Sequence, residues 1–128
     1  MTLSRKAIRP RQTAHLLRNH VLPISIDYRL CPEINLIDGP IQDVIDAFKW
    51  IKDGSLNEAI ETTGVRADVD RVVVVGWSSG GQLAMTMAWT SRKRCIDLPV
   101  AILSFYGPTD FESGGELARE PRRFVKGV

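Results

Sequence analysis

Apolar residues along this chain alternate between continuous runs and a helical rhythm. Residues 72–75 are four consecutive valines that lead into Gly76-Trp77-Ser78-Ser79-Gly80, and beyond that turn Leu83, Ala84, Met87 and Ala88 recur at helical spacing. The pattern predicts a buried strand, a sharp turn and a helix reaching about Lys93. Residues 21–28, VLPISIDY, are rich in β-branched residues and predict a second strand with Pro23 near its start. Residues 100–106, VAILSFY, predict a third, ended by Gly107-Pro108.

Between these runs the period changes. From Pro40, the residues Ile41, Val44, Ile45, Phe48 and Ile51 fall on one helical face and Gln42, Asp43, Asp46, Lys49 and Lys52 on the other, with Asp38 or Gly39 as the cap. Pro10 suits the first position of an earlier helix carrying Ala14, Leu16 and Leu17. A short irregular helix is expected over residues 56–62, and residues 113–128, with Gly114, Gly115 and Pro121 among alternating charges, are expected to be a loosely ordered end. Nearly apolar strands joined by helices require a parallel sheet with right-handed crossovers. The expected fold class is therefore α/β: a three-layer sandwich with a mostly parallel sheet, occupying residues 1–112 as a partial domain.

Composition narrows the function classes. With 128 residues the chain is about one domain. A formal charge of +2 gives no argument for nucleic acid, and no apolar run approaches the roughly 18 residues of a membrane span. Five basic residues lie before residue 19 with no acidic residue before Asp27, a transit-peptide composition that the predicted helix from Pro10 argues against. Cys31 and Cys95 lack metal-site spacing, and so few cysteines without a secretory signal favour free thiols in a reducing, cytoplasmic compartment. No metal or cofactor is expected.

The candidate chemistry lies in the turn. Gly-x-Ser-x-Gly between a strand and a helix is the pattern of a nucleophile elbow, in which a strained turn raises a serine hydroxyl above the sheet edge. Three fixed positions would match by chance in about 4% of chains of this length, and the flanking strand and helix lower that to under about 1%. Ser78 is the candidate nucleophile and the backbone N–H of Ser79 a candidate oxyanion donor. Gly76 and Gly80 are expected to let strand and helix approach closely, with Gly81 adding slack.

Further stretches carry a resemblance. Asp27-Tyr28-Arg29-Leu30-Cys31-Pro32-Glu33 resembles the Asp-Tyr-Arg-Leu-Ala-Pro-Glu sequence of hormone-sensitive-lipase-like α/β hydrolases. LSRKAIRPRQT at residues 3–13, VVVVGWSSGGQLAM and SFYGPTDFE at residues 104–112 are similar to the C-terminal esterase-type releasing domain of fungal non-reducing polyketide synthases. That resemblance implies a serine hydrolase acting on an acyl ester or a carrier-protein thioester, through an acyl-Ser78 intermediate resolved by water or an internal hydroxyl. It also implies a His-Gly-Gly-Gly-type loop ahead of residue 3 and a triad in the order Ser, acid, His. Only 50 residues follow Ser78 and none is a histidine, whereas His15 and His20 precede it and read as surface or helix-end residues. Asp110 reads as a turn or cap residue rather than the triad acid, and Asp27, Arg29 and Glu33 as loop-holding charges. Three readings follow: a serine esterase or thioesterase module truncated at both ends; an inactive or degenerate fragment, of this or a general carboxylesterase; and a subunit whose site is completed by another chain.

Overall fold

A computed structural model describes residues 9–94 and 96–107. Arg5, Lys6, Cys95, Asp110 and the expected loose end at residues 113–128 lie outside the described residues.

The chain enters through α1 (Pro10–Arg18), with Pro10 in the first turn, where its missing N–H costs nothing. After a non-repetitive stretch, a π-helical turn (Ile37–Ile41) runs into α2 (Gln42–Lys52). The start of this helical segment is held by Asn35 rather than by Asp38 or Gly39, because the Asn35 Oδ1 accepts the N–H groups of Ile37 and Asp38 at 3.0 and 2.8 Å. Next come α3 (Ser55–Ile60) and a 3₁₀ turn (Glu61–Thr63), then β1 (Val73–Trp77), α4 (Ser79–Lys93) and β2 (Ala101–Phe105). Asn57 donates to Ala67 O and accepts from Ala67 N, which fastens the approach to β1 onto α3.

β1 and β2 pair in parallel, Val73 opposite Ala101 through Trp77 opposite Phe105, with α4 as the crossover. Alternation sends Val72, Val74 and Ile102 to one face, where they pack on Ile41, Val44, Ile45 and Phe48 from the second helical segment and on Leu83 and Met87 of α4. Ile45 and Met87 are wholly buried and form the centre of this core. Lys52, the last residue of α2, bridges Asp70 at 3.1 Å and Asp97 at 3.5 Å. The other face of the sheet is much more open: Val73, Val75, Leu103 and Phe105 remain 39–47% exposed.

Two of the three expected strands form. Residues 21–28 have no regular structure, although Ile26 and Tyr28 pack on the core as predicted for a buried run. A strand needs a neighbour at about 4.8 Å to complete its ladder. A cavity of about 910 Å³ is lined by Leu22, Ile24 and Ile26 and also by residues 71–75, and among the described residues the only strands that pair are β1 and β2, so residues 21–28 have no ladder partner. The architecture is a parallel sheet flanked by helices, part of an α/β sandwich.

Candidate functional site

Ser78 stands between the last residue of β1 and the first of α4, at φ 53° and ψ −123°. This is a left-handed region that a residue with a Cβ enters only under strain, at a cost on the order of 1–3 kcal/mol. Two hydrogen bonds hold it there: the Ser78 N–H donates to Phe105 O at 3.0 Å, and the Ser78 carbonyl accepts from Gln82 N at 3.1 Å. The serine is thus clamped to the end of β2 on one side and to the first turn of α4 on the other. Among the described residues its hydroxyl has no hydrogen-bond partner. Ser79, as the first residue of α4, contributes one of the N–H groups that a helix start leaves without an intrahelical acceptor.

The close approach of strand and helix depends on a different set of glycines from the one expected. A Cβ on Gly76 would overlap the Gly80 carbonyl. A Cβ on Gly81 would come within 2.7 Å of Ser104 Oγ, and one on Gly107 within 2.8 Å of Gln82 N. Gly80 is open, with only Tyr28 Oη at 3.9 Å from its Cβ position. Gly76, Gly81 and Gly107 therefore form the contact between α4 and the strand ends, and Gly81 supplies proximity where slack was expected.

Around the turn lie groups that the sequence reading passed over. Tyr28 Oη is 3.3 Å from Ser79 Oγ, joining residues 27–33 to the start of α4. Trp77 and Phe105, register partners, stack with centroids 5.5 Å apart and planes 11° from parallel. The Arg9 guanidinium lies 4.8 Å above the Trp77 ring, and Tyr106 follows β2 with φ 44°. The signal available in the sequence was positional: Trp77 and Phe105 end the two strands at the end of the sheet where Ser78 sits, and Tyr106 comes directly after.

Arg29 takes the loop-holding role expected of it. Its guanidinium reaches both Asp43 carboxylate oxygens, its backbone N–H reaches one of them at 2.7 Å, and its Nη2 donates to Asp38 O at 2.9 Å. The hydrogen bond from Arg29 holds the Asp43 carboxyl below its usual range, and the same bond raises the Arg29 value. The loop that brings Tyr28 to Ser79 is thereby fastened to the first turn of α2.

Among the described residues neither histidine is hydrogen-bonded to the turn. His15 lies within α1, and His20 lines the cavity beside residues 71–75, which Ser78 does not line. Cys31 is an exposed free thiol. Among the described residues there is no cluster of three His, Cys, Asp or Glu side chains able to hold a metal, and no helix is long and apolar enough to cross a membrane.

A family model described as the alpha/beta hydrolase fold matches residues 10–126. The chain belongs to this family. A non-reducing polyketide synthase of Preussia isomera is 56% identical over 114 residues, 89% of this chain and 5% of the synthase. One from Stereocaulon alpinum is 58% identical over 113 residues, and one from Emericella nidulans 56% identical over 110, each match covering 4% of the synthase. The chain thus spans about one-twentieth of the length of these relatives. No solved structure matches. As an α/β hydrolase by family, the chain is a hydrolase-type module homologous to a region of fungal polyketide synthases.

Proposed function

We propose that this chain carries the nucleophile of an esterase- or thioesterase-type α/β hydrolase domain, with Ser78 as the acyl acceptor and the Ser79 N–H as one oxyanion donor. The observation that carries the reading is the strained Ser78, held between β1 and α4 with a hydroxyl that has no partner among the described residues. Strain of this kind persists only where the surroundings enforce it, and Ser78 is solvent-exposed, as a nucleophile raised above the sheet would be. In the proposed step Ser78 Oγ attacks the carbonyl carbon of an acyl thioester, its proton passes to a general base, and the carrier thiol leaves protonated. The Ser79 N–H faces the oxyanion of the tetrahedral intermediate. Water or a hydroxyl of the acyl chain then attacks the acyl-Ser78 ester and releases the product. On this reading the general base belongs to the rest of the domain, since neither His15 nor His20 is hydrogen-bonded to Ser78.

The named relatives are polyketide synthases, and this supports a polyketide thioester as substrate. The test is a chimera in which this chain replaces the matched 114-residue region of the Preussia isomera synthase. Product release is expected to continue, and Ser78→Ala in the chimera should leave the polyketide on its carrier. Undiminished release from the Ser78→Ala chimera would reject the proposal.

A further inference from the structure

Both strands of the sheet end in the same way. Trp77 and Phe105 are register partners, and the residue after each, Ser78 and Tyr106, has a positive φ, 53° and 44°. For a bulky side chain such a φ is an outlier, and it persists only where the surroundings enforce it. One hydrogen bond couples the two positions. The Ser78 N–H donates at 3.0 Å to the carbonyl of Phe105, and that carbonyl belongs to the peptide linking Phe105 to Tyr106. Rotating that peptide would release the Ser78 N–H.

Tyr106 is 73% exposed, so close packing does not lock it. What reaches it is Arg9, the residue just ahead of α1. Arg9 Nη2 donates a long hydrogen bond to Tyr106 Oη at 3.5 Å, from 97 positions away in sequence. The same guanidinium lies 4.8 Å from the centre of the Trp77 ring, and that ring stacks on Phe105. A guanidinium over an indole face is attracted by the ring quadrupole, and its planar fork donates sideways while it stacks. Among the described residues no carboxylate pairs with Arg9. Arg9 thus touches the residue before Ser78 and the residue after the carbonyl that holds Ser78.

We infer that Arg9 is a positioning residue for Ser78. By spanning Trp77 and Tyr106 it holds the two strand ends in the relation that keeps the Ser78 N–H on Phe105 O and the serine in its strained conformation. The inference rests on the reading of Ser78 as the acyl acceptor. Arg9 acts through the two rings and makes no contact with the acyl group. Its loss loosens the turn and leaves the core around Ile45 and Met87 in place. A nucleophile less firmly held meets its target in the reactive geometry less often, and the rate falls.

The test has two arms. On the 128-residue chain, amide hydrogen exchange is followed at Ser78 and, as a reference in the core, at Met87. Arg9→Ala should speed exchange at Ser78 at least threefold and leave Met87 unchanged. Arg9→Lys, which keeps a cation over the ring, should recover part of the protection, and Arg11→Ala, which removes an exposed cation two residues along, should change nothing. In the synthase chimera, the rate of fluorophosphonate labelling at Ser78 is measured against probe concentration. Arg9→Ala should lower the maximal rate at least threefold with the half-saturating concentration unchanged. The inference is overturned if either change is smaller than threefold, if Arg11→Ala matches Arg9→Ala, or if Met87 exchange speeds up along with Ser78. It is also overturned if only the half-saturating concentration moves, which would make Arg9 a ligand-binding residue. Failure of the Ser78 reading shows itself separately, as product release that survives Ser78→Ala, and the exchange arm does not depend on that reading.

Discussion

β1 has two unlike flanks. Toward β2 and α4 its backbone is paired, Gly76 is pressed against the Gly80 carbonyl, and Val72 and Val74 meet a core centred on Ile45 and Met87. On the other flank, the open face of the sheet, Val73 and Val75 stay 46% and 39% exposed. The strained Ser78 turn depends on the first flank alone, because both hydrogen bonds that hold it come from β2 and α4. Holding Ser78 in its strained turn therefore takes one strand pair and one helix.

The largest contrast should come from truncations on the two flanks. Ile45→Ala, at a wholly buried site, should cost about 2–5 kcal/mol, and Val73→Ala, on the open face, under about 1 kcal/mol. Urea titrations of both variants measure this, and equal losses would mean that the open face is covered in solution. Next in size is the pair Gly76→Ala and Gly80→Ala. The first forces a Cβ into backbone and should cost about 1–3 kcal/mol or more, while the second, in a helix with open space beside it, should be neutral or stabilising by about 0.5–1 kcal/mol.

A smaller effect concerns the clamp that carries Tyr28 toward Ser79. Native Asp43 titrates below its ordinary value of 3.8 because of Arg29, so the unfolded chain binds more protons than the native one as the pH falls through that range. The Asp43 contribution is present above about pH 4 and is lost as the pH drops through the lowered native value. Asp43→Asn should flatten the fall in stability below pH 4, and an unchanged acid limb in urea melts would show that the pair carries no linkage. The smallest expected effect is none at all. The 128-residue chain by itself should hydrolyse p-nitrophenyl acetate no faster than its Ser78→Ala variant, since a serine hydroxyl without a base is a weak nucleophile. Turnover lost in Ser78→Ala would mean that His15, His20 or a second copy reaches the turn.

How far the sequence revealed this arrangement follows the range of the interactions involved. The valine run, the Gly-x-Ser-x-Gly pattern and the apolar faces of α2 and α4 were legible because each is written in a short local run of residues, even though the Ser78 turn is also tied to Phe105. Residues 21–28 carried a genuine strand composition, and their apolar side chains do reach the core. Pairing, however, is decided by a neighbour in space, and that neighbour cannot be read from the segment itself. The Gly81 and Gly107 contacts, the Tyr28–Ser79 bond and the Trp77–Phe105 stack escaped notice for the same reason, since each joins positions 23 or more residues apart. Asn35 was missed for a local cause: the helical segment begins with a π turn, which shifts the cap ahead of Pro40.

The central claim, that Ser78 accepts the acyl group, is tested most directly by trapping it. The polyketide synthase chimera described above would be treated with a fluorophosphonate and digested, and the modified residue located by mass spectrometry. The account predicts a phosphonylated serine in the residue 72–92 peptide at position 78, with no label there in Ser78→Ala and parallel loss of product release. Label on another residue, together with release that survives Ser78→Ala, would contradict it.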